Sequence, residues 1–200
     1  MFIEWRVSNE RNFAVLRLEN ERVETCSPTK NFTIDARFSF ERWKHRRTGQ
    51  ITAPINALQR GVTLASLKMH FSTEPNYVTV WRLVNHTKSN CVLAKDILPY
   101  QRCYFDGLAS VLLLCVLQST LAPPLRHRDF FVTLTAQGTY CGAESNNHRR
   151  LARYYEKLGF KRSFDANEGR NDDDGIPMEA FADSIIQTTR RATCKKFTEF

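Results

Sequence analysis

Apolar and polar residues alternate over 2 to 8 and again over 12 to 19, on either side of the turn-forming run Ser8-Asn9-Glu10-Arg11. A period of two sends successive side chains to opposite faces of a sheet, so the two stretches read as a β-hairpin. Phe32, Ile34, Ala36, Phe38 and Phe40 keep that period and suit a strand, although the same stretch could begin a helix that runs into the basic residues after it. Thr48-Gly49 and Gly61 punctuate a short helix-like segment around Ile55 to Gln59. Strands are expected at Val62 to Phe71 and Tyr77 to Val84, with Pro75-Asn76 in the turn between them.

From residue 91 the pattern sharpens into an apolar strand at Cys91 to Leu98, a helix from Asp106 to Gln118 and a strand at Phe130 to Ala136. Pro123-Pro124 must end that helix, because proline cannot continue its hydrogen bonding. A second helix, Asn147 to Leu158, places Leu151, Tyr154, Tyr155 and Leu158 on one face, with Gly159 as its left-handed cap and Phe160 as the accompanying apolar contact. Two short strands, Phe160 to Asp165 and Ile176 to Phe181, flank an acidic turn at Asn171 to Gly175. The expected fold class is α/β (α+β), a mixed central sheet with flanking helices, in one domain over 1 to 190 followed by a basic tail over 191 to 200.

The chain has 200 residues and 42% apolar content, enough for a sizeable core. Its formal charge of +8 favours an anionic partner: nucleic acid, an acidic membrane surface or a phosphorylated cofactor. The densest basic run is Arg42, Lys44, His45, Arg46 and Arg47. The six cysteines include no C-x-x-C pair, which points to a reducing compartment, cytoplasmic or nuclear. Cys141 and His148 match no zinc spacing, so no metal is expected. Gly107 to Leu117, the most apolar run, is shorter than the roughly 20 residues that cross a bilayer, so no membrane partner is expected.

Tyr154-Tyr155-Glu156-Lys157-Leu158-Gly159-Phe160, after an Asn-Asn-basic helix start, resembles the last motif of the GCN5-related N-acetyltransferases, the acyl-CoA N-acyltransferases. There Y-x-x-x-G-F ends the helix after the fifth strand and leads into the sixth. The resemblance implies acyl transfer from acetyl-CoA, as co-substrate, to an amine of a small molecule or protein, in a cleft where the fourth and fifth strands splay. It implies a tyrosine that protonates the departing thiolate, which by spacing is Tyr155, with Tyr154 as its packing neighbour. Asp96 on the expected fourth strand is the best-placed general base, with His86 as second choice.

The family's other signature, Q/R-x-x-G-x-G/A, holds the CoA pyrophosphate on backbone amides at a helix start. Tyr104-Phe105-Asp106-Gly107-Leu108-Ala109 keeps the glycine and the small last residue, but Arg102 lies two positions early and Asp106 adds a negative charge. The implied cofactor contacts are Leu98, Arg102, Tyr104, Gly107, Leu108, Ala109 and Ser110, with Asn147 one residue out of the family's register. Two other readings stand beside this one. Asp106 and the missing loop Arg or Gln suit a catalytically inactive acetyltransferase-like binding module. Phe38, Phe40 and Trp43 beside the basic run suit a nucleic-acid-binding domain, but no RNA-recognition or zinc-finger signature accompanies them, so nucleic acid is not the expected partner.

Overall fold

The computed structural model describes residues 1–6, 12–24, 31–45, 47–52, 61–73, 76–87, 105–121, 130–137, 148–163, 175–193 and 197–199. They form a mixed α/β fold around one mostly antiparallel sheet. The expected N-terminal hairpin is present as β1 (Phe2–Arg6) and β2 (Asn12–Glu24), in register at Trp5 and Ala14. Ile3, Trp5, Ala14 and Leu16 are buried, so the alternating apolar set has one face to fill.

β3 (Asn31–His45) is a strand along its whole length, which removes the helix alternative. Phe32, Ile34, Ala36, Phe38 and Phe40 are buried while Asp35 and Arg37 are exposed, and β3 pairs along both edges with β2 and β5. β4 (Ile51–Thr52) folds back on Trp43 and Lys44. β5 (Thr63–Thr73) and β6 (Asn76–Asn85) continue the meander. Their register slips once, from Met69↔Val80 to Lys68↔Arg82, so Trp81 is the extra residue of a β-bulge.

α1 (Leu108–Thr120) then crosses to β7 (Phe131–Ala136), which lies parallel to β6, the only parallel pair among the described strands. Residues 108 to 117 of α1 are all buried, as befits a helix that is apolar on every side. α1 packs on β3, β5 and β6, so truncating a central leucine such as Leu113 removes about 2–5 kcal/mol. α2 (His148–Glu156) packs on β7, β9 and β8. Its buried residues are His148, Ala152 and Tyr155, with Leu158 buried just beyond it, while Leu151 and Tyr154 of the expected face are half-buried and pack against the core. The turn after α2 follows the expected cap: Gly159 has φ 97, and the Phe160 N–H donates to the Tyr155 carbonyl at 3.1 Å.

β8 (Lys161–Arg162) and β9 (Ile176–Phe181) complete that side of the sheet, giving the order β10-β1-β2-β3-β5-β6-β7-β9-β8 with β4 on β3. Two features correct the sequence reading. α3 (Ala182–Thr193) packs against α1 where no helix was expected. The expected basic tail contains β10 (Phe197–Glu199), an edge strand antiparallel to β1. No helix among the described residues is long and apolar enough to cross a membrane.

The strand beside β7 is also a correction. β6 occupies one edge of β7 and β9 the other, so the parallel partner of β7 is the strand at 76 to 85 and not the one expected at Cys91 to Leu98. Residues 91 to 98, the Ile55 to Gln59 segment, Pro123-Pro124, Cys141 and residues 171 to 174 lie outside the described residues.

Candidate functional site

β6 and β7 stay together for only four residue pairs, from Tyr77↔Phe131 to Val80↔Leu134. Each then keeps its outer partner: β6 follows β5 to Ala65↔Asn85, and β7 follows β9 to Ala136↔Ile176. The strands therefore part at their carboxyl ends, just past the bulge at Trp81, and no ladder pair joins 81–85 to 135–136 among the described residues. A gap outside the carboxyl ends of parallel strands is where open α/β sheets place ligands.

α1 starts at this end of the sheet. Gly107 takes the left-handed conformation, φ 87 and ψ 4, and no side-chain hydrogen bond caps the helix among the described residues. The first intrahelical bond runs from the Val111 N–H to the Gly107 carbonyl, so the amides of Leu108, Ala109 and Ser110 have no partner within the helix. Their side chains are buried, which leaves the backbone as what the first turn offers. Asn85 ties β6 to this turn, its Nδ2 donating to the Phe105 carbonyl at 3.0 Å while its Oδ1 accepts the Thr87 hydroxyl at 2.6 Å.

His86 follows directly. Its N–H donates to the Leu64 carbonyl at 2.9 Å, and its Nε2 lies 2.9 Å from the Ser66 hydroxyl on β5. Burial lowers the imidazole pKa below its ordinary 6.5, and the charge of Arg82 lowers it further. The ring is therefore neutral at pH 7, and it holds an oriented nitrogen beside the parting strands.

Of the two tyrosines, Tyr154 makes a contact that the sequence did not suggest. The Tyr154 hydroxyl, expected against the helix–sheet contact, meets the Ser110 hydroxyl at 2.5 Å and so links α2 to the first turn of α1. Tyr155 is 6% exposed, with its ring edge-on to Tyr154 and to Phe160. Its hydroxyl has no hydrogen-bond partner among the described residues. Burial pushes both phenols above their ordinary value, Tyr155 further than Tyr154; at Tyr154 the Ser110 bond works the other way and Asp106 adds to the rise. Both are therefore protonated at neutral pH.

The structure brings together Gly107, Leu108, Ala109 and Ser110 with the tyrosine pair, through the Ser110–Tyr154 bond. Asp96, Leu98, Arg102, Tyr104 and Asn147 lie outside the described residues. Sequence reasoning ranked His86 second and passed over its partner Ser66, because a contact across 20 residues of separation leaves no local spacing to read. No group of three or more His, Cys, Asp or Glu side chains is disposed to hold a metal among the described residues. No protein-family model matches the chain, and no curated protein matches it significantly.

Proposed function

We propose that the protein transfers an acetyl group from acetyl-CoA to an amine, in an acyl-CoA N-acyltransferase-like fold. The parting of β6 and β7 past Val80 and Leu134 carries this reading, because it leaves a slot flanked by the α1 amides that have no partner within the helix and by the α2 tyrosines. Those amides and the positive end of α1 suit a pyrophosphate. The cleft suits an extended thioester arm running between the strands. β6 stands where the resemblance puts the fourth strand, and His86 just past its end, the second choice from the sequence, is the general base of this reading.

In the reaction the neutral His86 imidazole takes a proton from the substrate ammonium, directly or through a water. The freed amine attacks the thioester carbonyl. The C–N bond forms, the C–S bond breaks as the tetrahedral centre collapses, the thiolate takes its proton from the Tyr155 hydroxyl, and the second proton shed by the new amide nitrogen returns through water to restore that hydroxyl. Holding amine and thioester together supplies most of the rate, and the two proton transfers assist it.

Calorimetry with acetyl-CoA and an acyl-transfer assay over a panel of amines test this. Saturable binding that Gly107→Val abolishes in a folded protein is expected, since the αL backbone at 107 disfavours a β-branched residue. Turnover is expected to rise with pH through a value below 6.5 and then level off, with His86→Gln slower by roughly 10²- to 10⁴-fold. Absence of acetyl-CoA binding sinks the proposal. Asp106, exposed beside the turn into α1, favours the second reading, a binding module without catalysis, which binding without turnover over the whole panel selects.

A further inference from the structure

Antiparallel pairing sets Ser66 on β5 opposite Val84 on β6, two residues before His86. Residues two apart along an extended chain share a face, so the Ser66 and His86 side chains are diagonal neighbours. The bond from the His86 N–H to the Leu64 carbonyl keeps the chain beside β5 past the end of β6, and so anchors the imidazole to the strand that carries the serine. Ser66 Oγ then lies 2.9 Å from His86 Nε2. A serine hydroxyl within hydrogen-bond reach of a histidine nitrogen can become a reactive nucleophile, because the imidazole takes the hydroxyl proton as the oxygen attacks.

The surroundings suit that chemistry. Ser66 is half-buried and lines a groove of about 440 Å³ over β2, β3, β5 and β6, a volume within the range of small-molecule sites. Arg37 lines the same groove and stands directly opposite Ser66 on β3. Glu19 holds its Nε and Nη2, which fixes the guanidinium and leaves the Nη1 hydrogens, among the described residues, to meet an oxyanion formed at Ser66. Burial keeps the His86 imidazole in the neutral form that accepts a proton, and also makes it a weak base. A weak base suits attack on acyl groups with good leaving groups, so activated esters fit and amides do not.

We propose that Ser66 and His86 form a nucleophile–base dyad that hydrolyses small activated esters in this groove. In the Nδ1–H tautomer the Ser66 hydroxyl donates to Nε2. Oγ attacks the ester carbonyl as its proton passes to Nε2, the bond to the leaving oxygen breaks, and the imidazolium gives up the proton to that oxygen or to water. Acyl-Ser66 remains. A water then attacks the acyl carbon and passes a proton to Nε2, the bond to Oγ breaks, the carboxylic acid departs and the proton returns to Oγ. The dyad shares its imidazole with the acyl-transfer reading but needs neither CoA nor an amine, so the two stand or fall separately.

The test is the full chain with p-nitrophenyl acetate in the absence of CoA. A burst of p-nitrophenolate followed by steady release is expected, and protein quenched in acid after the burst should carry an acetyl group on Ser66, the only serine of the tryptic peptide Gly61 to Lys68. Ser66→Ala and His86→Gln, each checked for folding by circular dichroism, are expected to slow steady release by roughly 10²- to 10⁴-fold and to leave that peptide unacetylated. A second readout uses the unaltered protein: a fluorophosphonate, which traps activated serines, should label the same peptide and stop the release. Release no faster than in buffer, release that survives the fluorophosphonate or persists in either folded variant, or acetyl groups confined to lysines overturns the assignment.

Discussion

Tyr154 and Tyr155 sit one position apart on α2, which turns them about 100° from each other, and their environments follow from that rotation. Ser110→Ala and Tyr154→Phe are each expected to destabilise the fold by about 1 kcal/mol, and the double variant by less than the sum, because both remove the same hydrogen bond. Denaturant unfolding of the four proteins checks this. The raised phenol pKa values carry a pH signature with a definite sign. Above about pH 10 the unfolded chain gives up tyrosine protons that the folded chain keeps, so stability falls as pH rises, by about 1.4 kcal/mol per pH unit for each such tyrosine. A Tyr154→Phe/Tyr155→Phe protein is expected to lose less stability between pH 9 and 11 than the parent. At this scale the Y-x-x-x-G-F spacing was legible because it is local. The division of labour between the two hydroxyls was not, since Ser110 lies 44 residues away.

Between α2 and β8 the chain turns at Gly159, where φ is 97 and an added Cβ would stand 3.2 Å from the Ser184 hydroxyl and 3.3 Å from the Ser184 carbonyl. Gly159→Ala therefore meets both backbone strain and α3, and a loss of about 1–2 kcal/mol is expected from the left-handed conformation alone. Thermal melts of Gly159→Ala and Gly159→Asn check this, Asn being better tolerated in that region. Most elements were readable because their periods are strong: β3 alternates over its whole buried half, and α1 is apolar throughout. α3 was not, because its inner face is Ala182, Ile185, Ile186, Thr189 and Thr193, with threonine at two buried positions. Thr193 is accommodated there because its hydroxyl donates to the Thr189 carbonyl at 2.7 Å, a contact invisible to a hydrophobic pattern. The neighbour expected for β7 came from the family resemblance, since periodicity finds strands but does not choose their neighbours, and β6 and β9 are the strands paired with it.

The whole sheet is bounded on one side by β10, whose pairing sets Ile3 opposite Glu199 and Trp5 opposite Phe197. Removing residues 197 to 200 uncovers the hydrogen-bonding edge of β1, whose Ile3 and Trp5 belong to the core. Such a truncated protein is expected to melt lower and to self-associate through the bare edge, which light scattering against concentration reads directly. A truncated protein that stays monomeric and melts like the parent would show that β10 contributes nothing to the sheet.

That same pairing governs the order in which the molecule can assemble. β1, β2, β3, β5 and β6 each pair with a strand close by in sequence and can zip together as a local meander, whereas the outer edge of β1 must wait for β10 at the opposite end of the chain. Closing so long a loop is entropically slow, and joining β7 to β6 across the α1 crossover adds a second distant step. Stopped-flow refolding should therefore show the meander forming ahead of the sheet edge, with the amides that join β1 to β10 the last to gain protection in pulsed hydrogen exchange. During synthesis the nascent chain carries an open β1 edge until β10 has been made, a window in which that edge is exposed to pairing with other chains.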